Sequence, residues 1–459
     1  MGGSEPVLGP VTEGARLFGV NIDAALTALR REDPRLASDA EGALEYLTAG
    51  EGIEHLAQIE LQEFLWYRLP QKFLTEPAHK RHVARALGRL LELLNLPRYA
   101  ALCTSQETAR VLAAYEDDHD ARGRAAMRAA MRSSGVEPVD VEELTWSSTM
   151  GMAEASAYYR VARSLELAVA AAEFTPGVRG WKAAQQRFIR QQLLRARDGA
   201  AGRCLLDEVL EERIDGWLSA RGTARQGVVG PLAGRLRQPS EPPSDSARCV
   251  APVRWLLDQA TSGLKLTQTH RLKPSTVTAM VEAFDWDDGI RGRRLEDDVA
   301  EVVATRDLTQ RIHALRRSKL QLILTPTGRA LTGADAALWR RLCAVLVATE
   351  AYDAAVQELA LALMLQHEDL SRERLADHIH AAMTGDGWHS DDGRAPDERH
   401  VRWALVDFHW RLKALSLLEH DPSQSRWQDS WRLNAAGAVA AIEALKARAT
   451  RPRSSPWEL

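Results

Sequence analysis

The stretch 322–331, Leu-Ile-Leu-Thr-Pro-Thr-Gly-Arg-Ala-Leu, constrains the fold more than any other: an apolar run stops at Thr325-Pro326-Thr327-Gly328-Arg329 and restarts as a helix. It reads as the last strand of a small sheet handing over to a helix, so its partners should lie just upstream. Residues 252–261 place Val253, Leu256, Leu257 and Ala260 at helical spacing before Ser262-Gly263 stops them. Leu264-Lys-Leu-Thr-Gln268 then alternates apolar and polar, as a short strand does. Residues 274–284 make a second helix, whose first turn accommodates Pro274. Leu308, Ile312 and Leu315 mark a third helix, and Leu320, Leu322 and Leu324 the strand that ends it. Helix, strand, helix, helix, strand, tight turn, strand is the order of a winged helix-turn-helix.

A partial echo follows. Leu375, Ile379 and Met383 mark one helix, and Val401, Leu405, Phe408 and Leu412 another. Ser430-Trp-Arg-Leu-Asn434 reads as a strand, and 435–449 opens a helix as 326–331 does; Leu433 and Gly437 match Leu324 and Gly328. Two matching positions suggest a second winged-helix-like unit. Before residue 222 only helical spacing appears: Val83, Leu87, Leu90, Leu91 and Leu94; Tyr158, Val161, Leu165, Ala168 and Val169; Leu206, Leu210, Ile214 and Trp217. The sequence therefore predicts a mainly α protein: an all-helical domain over 20–221, a linker over 222–249, a winged-helix-like unit over 250–346, and a second helical or winged-helix-like unit over 347–450. The linker is read from Gly222, Gly227, Gly230, Gly234, Pro239, Pro242 and Pro243 with no apolar period. A second irregular stretch is expected at 384–396, and a frayed tail from Arg451.

At 459 residues, 45% hydrophobic, 27% charged and a formal charge of −4, the chain has ordinary globular composition. That excludes a globally basic coat for nucleic acid and leaves only a local basic face. The best candidate is 306–329, where Arg306, Arg311, Arg316, Arg317, Lys319 and Arg329 face one acid, Asp307: six minus one gives +5. On a winged helix, Arg316, Arg317, Lys319 and Arg329 would neutralise phosphates of double-stranded DNA, with Thr309, Gln310 and Arg311 toward the groove. The alternative is a solvated basic face, or one paired with the acids of 295–301.

Other chemistry is sparse. Cys103, Cys204, Cys249 and Cys343 lack C-x-x-C spacing, which points to reduced thiols in a cytoplasmic protein. No signal-peptide pattern and no run of about 18 apolar residues occurs, so neither secretion nor membrane spanning is expected. His378 and His380 are two apart, whereas a helical zinc pair needs four, and the acids of 116–120 and 391–392 lack calcium-loop spacing. No phosphate, dinucleotide or nucleophile-elbow motif appears, Gly289 to Gly292 included, so no metal or cofactor is expected. Phe64, Trp66, Tyr67 and Phe73 cluster around Leu69-Pro70 and are read as core.

Residues 252–346, carrying Leu266-Thr-Gln-Thr269 and Leu324-Thr-Pro-Thr-Gly-Arg-Ala-Leu331, resemble a winged-helix-like module of many uncharacterised actinobacterial proteins, some of the plasmid-type open-reading-frame-three group. Trp66-Tyr-Arg-Leu-Pro-Gln-Lys72 and Leu96-Pro-Arg-Tyr-Ala-Ala101 resemble segments of the same group. The resemblance implies a fold and brings no settled activity. The expected function is non-enzymatic DNA association, regulatory or linked to mobile elements or defence, with the N-terminal domain binding a protein or itself. The alternatives are a protein-interaction scaffold without DNA contact, and a DNA-acting enzyme such as a base-excising glycosylase with an unrecognised site.

Overall fold

Apolar residues three and four apart dictate helix over most of this chain, and helix is what forms. A computed structural model describes residues 21–48, 53, 56–73, 75–116, 120–197, 202–220, 222–286, 294–367, 370–389, 393–419 and 431–454. The fold is mainly α with one small antiparallel sheet, and the chain divides into two units, 1–209 with 452–459, and 210–451.

In the N-terminal unit the Pro77–Leu93 helix buries Val83, Leu87, Leu90 and Leu91, and the Met152–Ala170 helix buries Val161, Leu165 and Ala168, the faces their spacing predicts. The Phe64, Trp66, Tyr67, Phe73 cluster is mostly core: Phe64 and Trp66 are buried, and the Trp66 indole donates to Thr108 Oγ1 at 2.9 Å. Phe73 and Tyr46 pack on Phe64, while Tyr67 faces solvent. Pro70 cannot donate to the carbonyl four residues back, and just ahead of it Phe64–Arg68 widens into a π-helix in which Leu69 N–H reaches Phe64 O. The tail is not frayed at Arg453: its carbonyl accepts from Ser148 N–H at 3.0 Å and its N–H donates to Ser147 Oγ at 2.8 Å.

The expected linker 222–249 is instead part of the C-terminal core. Short helices at Thr223–Val229, Ala233–Arg237 and Ser246–Cys249 bury Val229, Leu232, Leu236 and Cys249. Gly222, Gly230, Pro239, Pro242 and Pro243 lie at or between the helix ends, Gly227 and Gly234 lie inside helices, and the apolar residues keep a helical period that this punctuation obscures. Arg225 anchors the segment: buried, it reaches Glu358 at 3.2 Å and the Trp217 carbonyl at 2.8 Å. The unit boundary accordingly falls earlier, inside the Leu205–Ser219 helix.

Downstream, the Ala251–Gln259 helix, β1 (Leu264–Lys265), the Pro274–Phe284 and Ala300–Arg311 helices, β2 (Leu315–Ser318), β3 (Gln321–Leu324) and the Pro326–Leu331 helix follow in order. The strands lie β1-β3-β2, with Leu264 opposite Leu322 and Leu315 opposite Leu324. The third helix is shorter than expected. It ends at Arg311, because His313 turns left-handed (φ 54°) and Ala314 N–H reaches back to the Thr309 carbonyl at 3.1 Å. Leu315 therefore opens a strand, and Leu320, placed in a strand by its alternation, sits in the two-residue turn behind Lys319.

That corner recurs. After the Glu398–Ala414 helix, Ser416 is left-handed (φ 52°) and Leu417 N–H reaches the Leu412 carbonyl at 2.9 Å. Leu418 then bridges Leu433 as Leu315 pairs with Leu324. Thr325 and Asn434 cap the following helices, accepting from Gly328 N–H at 3.0 Å and Gly437 N–H at 2.8 Å. A Cβ on Gly328 would lie 2.1 Å from the Ala314 carbonyl oxygen, and one on Gly437 2.0 Å from that of Leu417, so glycine is obligatory at both. Of the strand expected at 430–434, only this bridge forms among the described residues, which exclude Ser430.

Candidate nucleic-acid interface

The strand pleat sorts the basic stretch. Leu315, Leu322 and Leu324 alternate inward to the core, which sends Arg316 to the opposite face of β2. Lys265 of β1 sits opposite Gln321, which in turn pairs with Ser318 of β2. Lys319 occupies the turn in a left-handed conformation (φ 54°), and Arg317, opposite Leu322 and so on the other side of the pleat from Arg316, is exposed near the end of the hairpin. Arg316, Arg317, Lys319 and Lys265 are all exposed, and among the described residues none of them is held in an ion pair. Arg329 is also exposed, though its guanidinium donates to the Leu324 carbonyl at 3.1 Å.

The helical half of the candidate set is otherwise employed. The Ala300–Arg311 helix packs along the Glu398–Ala414 helix, and this covers the face expected to meet a groove. Thr309 is fully buried and donates to the Arg306 carbonyl at 2.6 Å, so it cannot touch a base. Arg311 donates to Asp307 at 2.6 Å, and Arg306 is held by Glu296 at 2.7 Å and by the His270 carbonyl at 2.9 Å. The Arg306–Glu296 pair is the neutralisation by nearby acids that the sequence left open. Gln310 alone of the three groove-facing candidates remains exposed.

What covers that helix is a buried polar network the sequence reading missed. Arg411, 2% exposed, donates to Gln357 Oε1 at 2.9 Å and lies 3.5 Å from Asp307. Gln357 also accepts from Ala348 N–H at 2.8 Å and donates to the Ala404 carbonyl at 2.9 Å. Burial, with the nearby Arg311 charge, brings the Arg411 guanidinium pKa down to about 10. One signal was available: Gln357-Glu358 interrupts the apolar run of the Ala351–Met364 helix.

The remaining sequence candidates disperse. His378 and His380 hydrogen-bond the carbonyls of Arg374 (2.6 Å) and Pro396 (2.8 Å) respectively. The acids of 116–120 and 391–392 and the 289–292 loop lie wholly or partly outside the described residues. All four cysteines are buried, and burial raises the Cys249 thiol pKa to about 11. Among the described residues no helix is long and apolar enough to cross a membrane. No family model matches the chain, and no curated protein or solved structure does either.

Proposed function

We propose that the chain is a non-enzymatic DNA-associated protein in which residues 250–346 form a winged-helix unit that meets duplex DNA through its wing. The observation that carries this reading is the β2–β3 hairpin: Arg316, Arg317 and Lys319 project from it unpaired, in a chain of net charge −4. Guanidinium and ammonium groups held on a short hairpin suit phosphate contact, because release of condensed counterions drives binding and the backbone that carries them is already ordered. The covered third helix makes the contact one to the backbone and not to bases, so the expected binding is salt-sensitive and indifferent to sequence. The strand order β1-β3-β2 and the resemblance to actinobacterial winged-helix-like modules support the same assignment. The recurring corner at Ser416 to Gly437 supports a second, diverged unit over 347–450, and the role proposed for the whole chain is regulatory, or linked to mobile elements or defence. The test is a gel-shift salt titration of the wild type against Arg316→Ala/Arg317→Ala/Lys319→Ala. Binding by the wild type that is lost or weakened in the variant supports the reading; no binding at low salt, or an indifferent variant, sinks it.

One observation favours a scaffold instead. Trp403 on the Glu398–Ala414 helix is 67% exposed beside His400, with ring centroids 5.6 Å apart, and Val406 is also exposed. Exposed tryptophan is an anchor type for protein interfaces. Co-purification of a stoichiometric partner that Trp403→Ala abolishes would favour that reading.

A further inference from the structure

We infer that the N-terminal unit carries a duplex-DNA contact of its own, on the solvent face of the Trp181–Leu194 helix and the turn before it. Between Glu173 and Asp198 the chain holds Arg179, Lys182, Arg187, Arg190, Arg195 and Arg197 and no acid, six positive charges in a protein of net charge −4. Gln185 fixes which way the helix faces: it is buried and donates to the Gly135 and Glu137 carbonyls, each at 3.0 Å. Ile189 and Leu193 are fully buried on that inner side. The outer side then presents Arg187, Gln191 and, at the end of the helix, Arg195, at four-residue spacing, with Leu194 exposed among them, while Lys182 lies in line with the buried stripe and is exposed because it sits in the helix's first turn. Arg190 is taken up by Glu143 and Arg197 by Glu208, whereas Arg179, Lys182, Arg187 and Arg195 are exposed and hold no ion pair among the described residues.

The chemistry of this face selects its occupant. At 1.5 Å per residue, Arg187 to Arg195 spans about 12 Å, the length of roughly four phosphates on one strand of a duplex, with Lys182 and Arg179 extending the charge through the helix's first turn and the turn before it. Lys182 in the first helical turn opposes the helix dipole, a placement that helix stability alone disfavours. Ile189 and Leu193 turn inward, and the exposed Val178 and Leu194 lie at opposite ends of the segment, too far apart to form a continuous apolar stripe for a bilayer. Phe188 packs on Phe174 and Trp181 lies partly buried with Lys182 Nζ 5.9 Å from its ring, so no stacking platform for single strands is on offer. A helix faced with Lys, Arg and Gln fits the wide major groove of B-form DNA and not the narrow one of an RNA duplex.

The test uses the full chain and a short fluorescein-labelled DNA duplex, with anisotropy measured across a salt series. Arg179→Gln/Lys182→Gln/Arg187→Gln/Arg195→Gln should lower the salt slope by about 3.6 and weaken binding at least about tenfold at ~0.1 M salt. Should that variant lose helical circular dichroism, Lys182→Gln/Arg187→Gln carries the test, with a slope change of about 1.8. An unchanged slope and affinity overturns the inference, as does a loss confined to anionic vesicles or an RNA hairpin while DNA binding persists. The hairpin variant Arg316→Ala/Arg317→Ala/Lys319→Ala is run alongside. Loss there alone leaves the wing reading standing without this one, and loss on the helix alone does the reverse.

Discussion

Gly328 and Gly437 are each pinned by a carbonyl oxygen where a Cβ would sit, so Gly328→Ala and Gly437→Ala should each cost about 1–3 kcal/mol, since neither backbone can retreat. Urea unfolding of each variant checks this, and a loss near zero would mean the corner yields. Arg411 behaves differently. Its partner Asp307 keeps Arg311 and solvent, and Gln357 keeps Ala348 N–H, so removing the guanidinium strands no buried charge. Arg411→Met should be neutral or stabilising, whereas Arg411→Ala, which leaves a cavity, should cost about 2–4 kcal/mol. Equal loss in both variants would show that the charge itself holds the helices. Glu137 supplies a pH signature. Burial raises its carboxyl pKa from 4.5, and its Oε2 is buried without a hydrogen-bond partner. A folded value above the unfolded one gives stability that is fully present below the unfolded pKa and lost as pH rises through the folded pKa. Glu137→Gln should therefore raise the melting temperature at pH 7 and lose that advantage toward pH 4. A gain independent of pH would contradict burial as the cause.

At the scale of elements, the Pro274–Phe284 helix was legible to the residue, and the Pro77–Leu93 helix nearly so, because proline opens each and an unbroken apolar period fills it. The end of the third helix was hidden. A left-handed His313 stops it where glycine would have announced the stop, and Leu315 continues the helical spacing by coincidence while facing inward from a strand. That one boundary makes Leu315 to Ser318 a full strand, so Arg316 and Arg317, expected between the third helix and the last strand, belong to a hairpin. The helices within 222–249 were masked for the opposite reason, since the glycines and prolines in and between them imitate a linker. Thr309's burial was illegible for a third reason: it depends on the Glu398–Ala414 helix, roughly ninety residues away in sequence. The resulting expectation is specific. Under the proposed wing contact, Gln310→Ala should leave DNA affinity within about twofold, because the helix that carries it is covered by the Glu398–Ala414 helix. A tenfold loss in the same titration would restore the helix as the reading element.

At the scale of the molecule, each unit has its own apolar core, one containing Leu87, Leu90 and Leu165's neighbours on the Met152–Ala170 helix, the other Leu256, Leu322 and Leu359. Damage to the corner at Gly328 should accordingly speed amide exchange within 210–451 and leave 21–197 protected, as hydrogen exchange with mass spectrometry would show. Uniform loss of protection would mean that the two cores unfold together. The central claim is that the hairpin meets DNA through phosphates. Its most direct measurement is the salt slope of duplex binding for Arg316→Ala/Arg317→Ala/Lys319→Ala against the wild type. Three lost phosphate contacts should lower that slope by about 2.7, equally for unrelated duplex sequences. A slope that does not move, or a loss confined to one sequence, would contradict it.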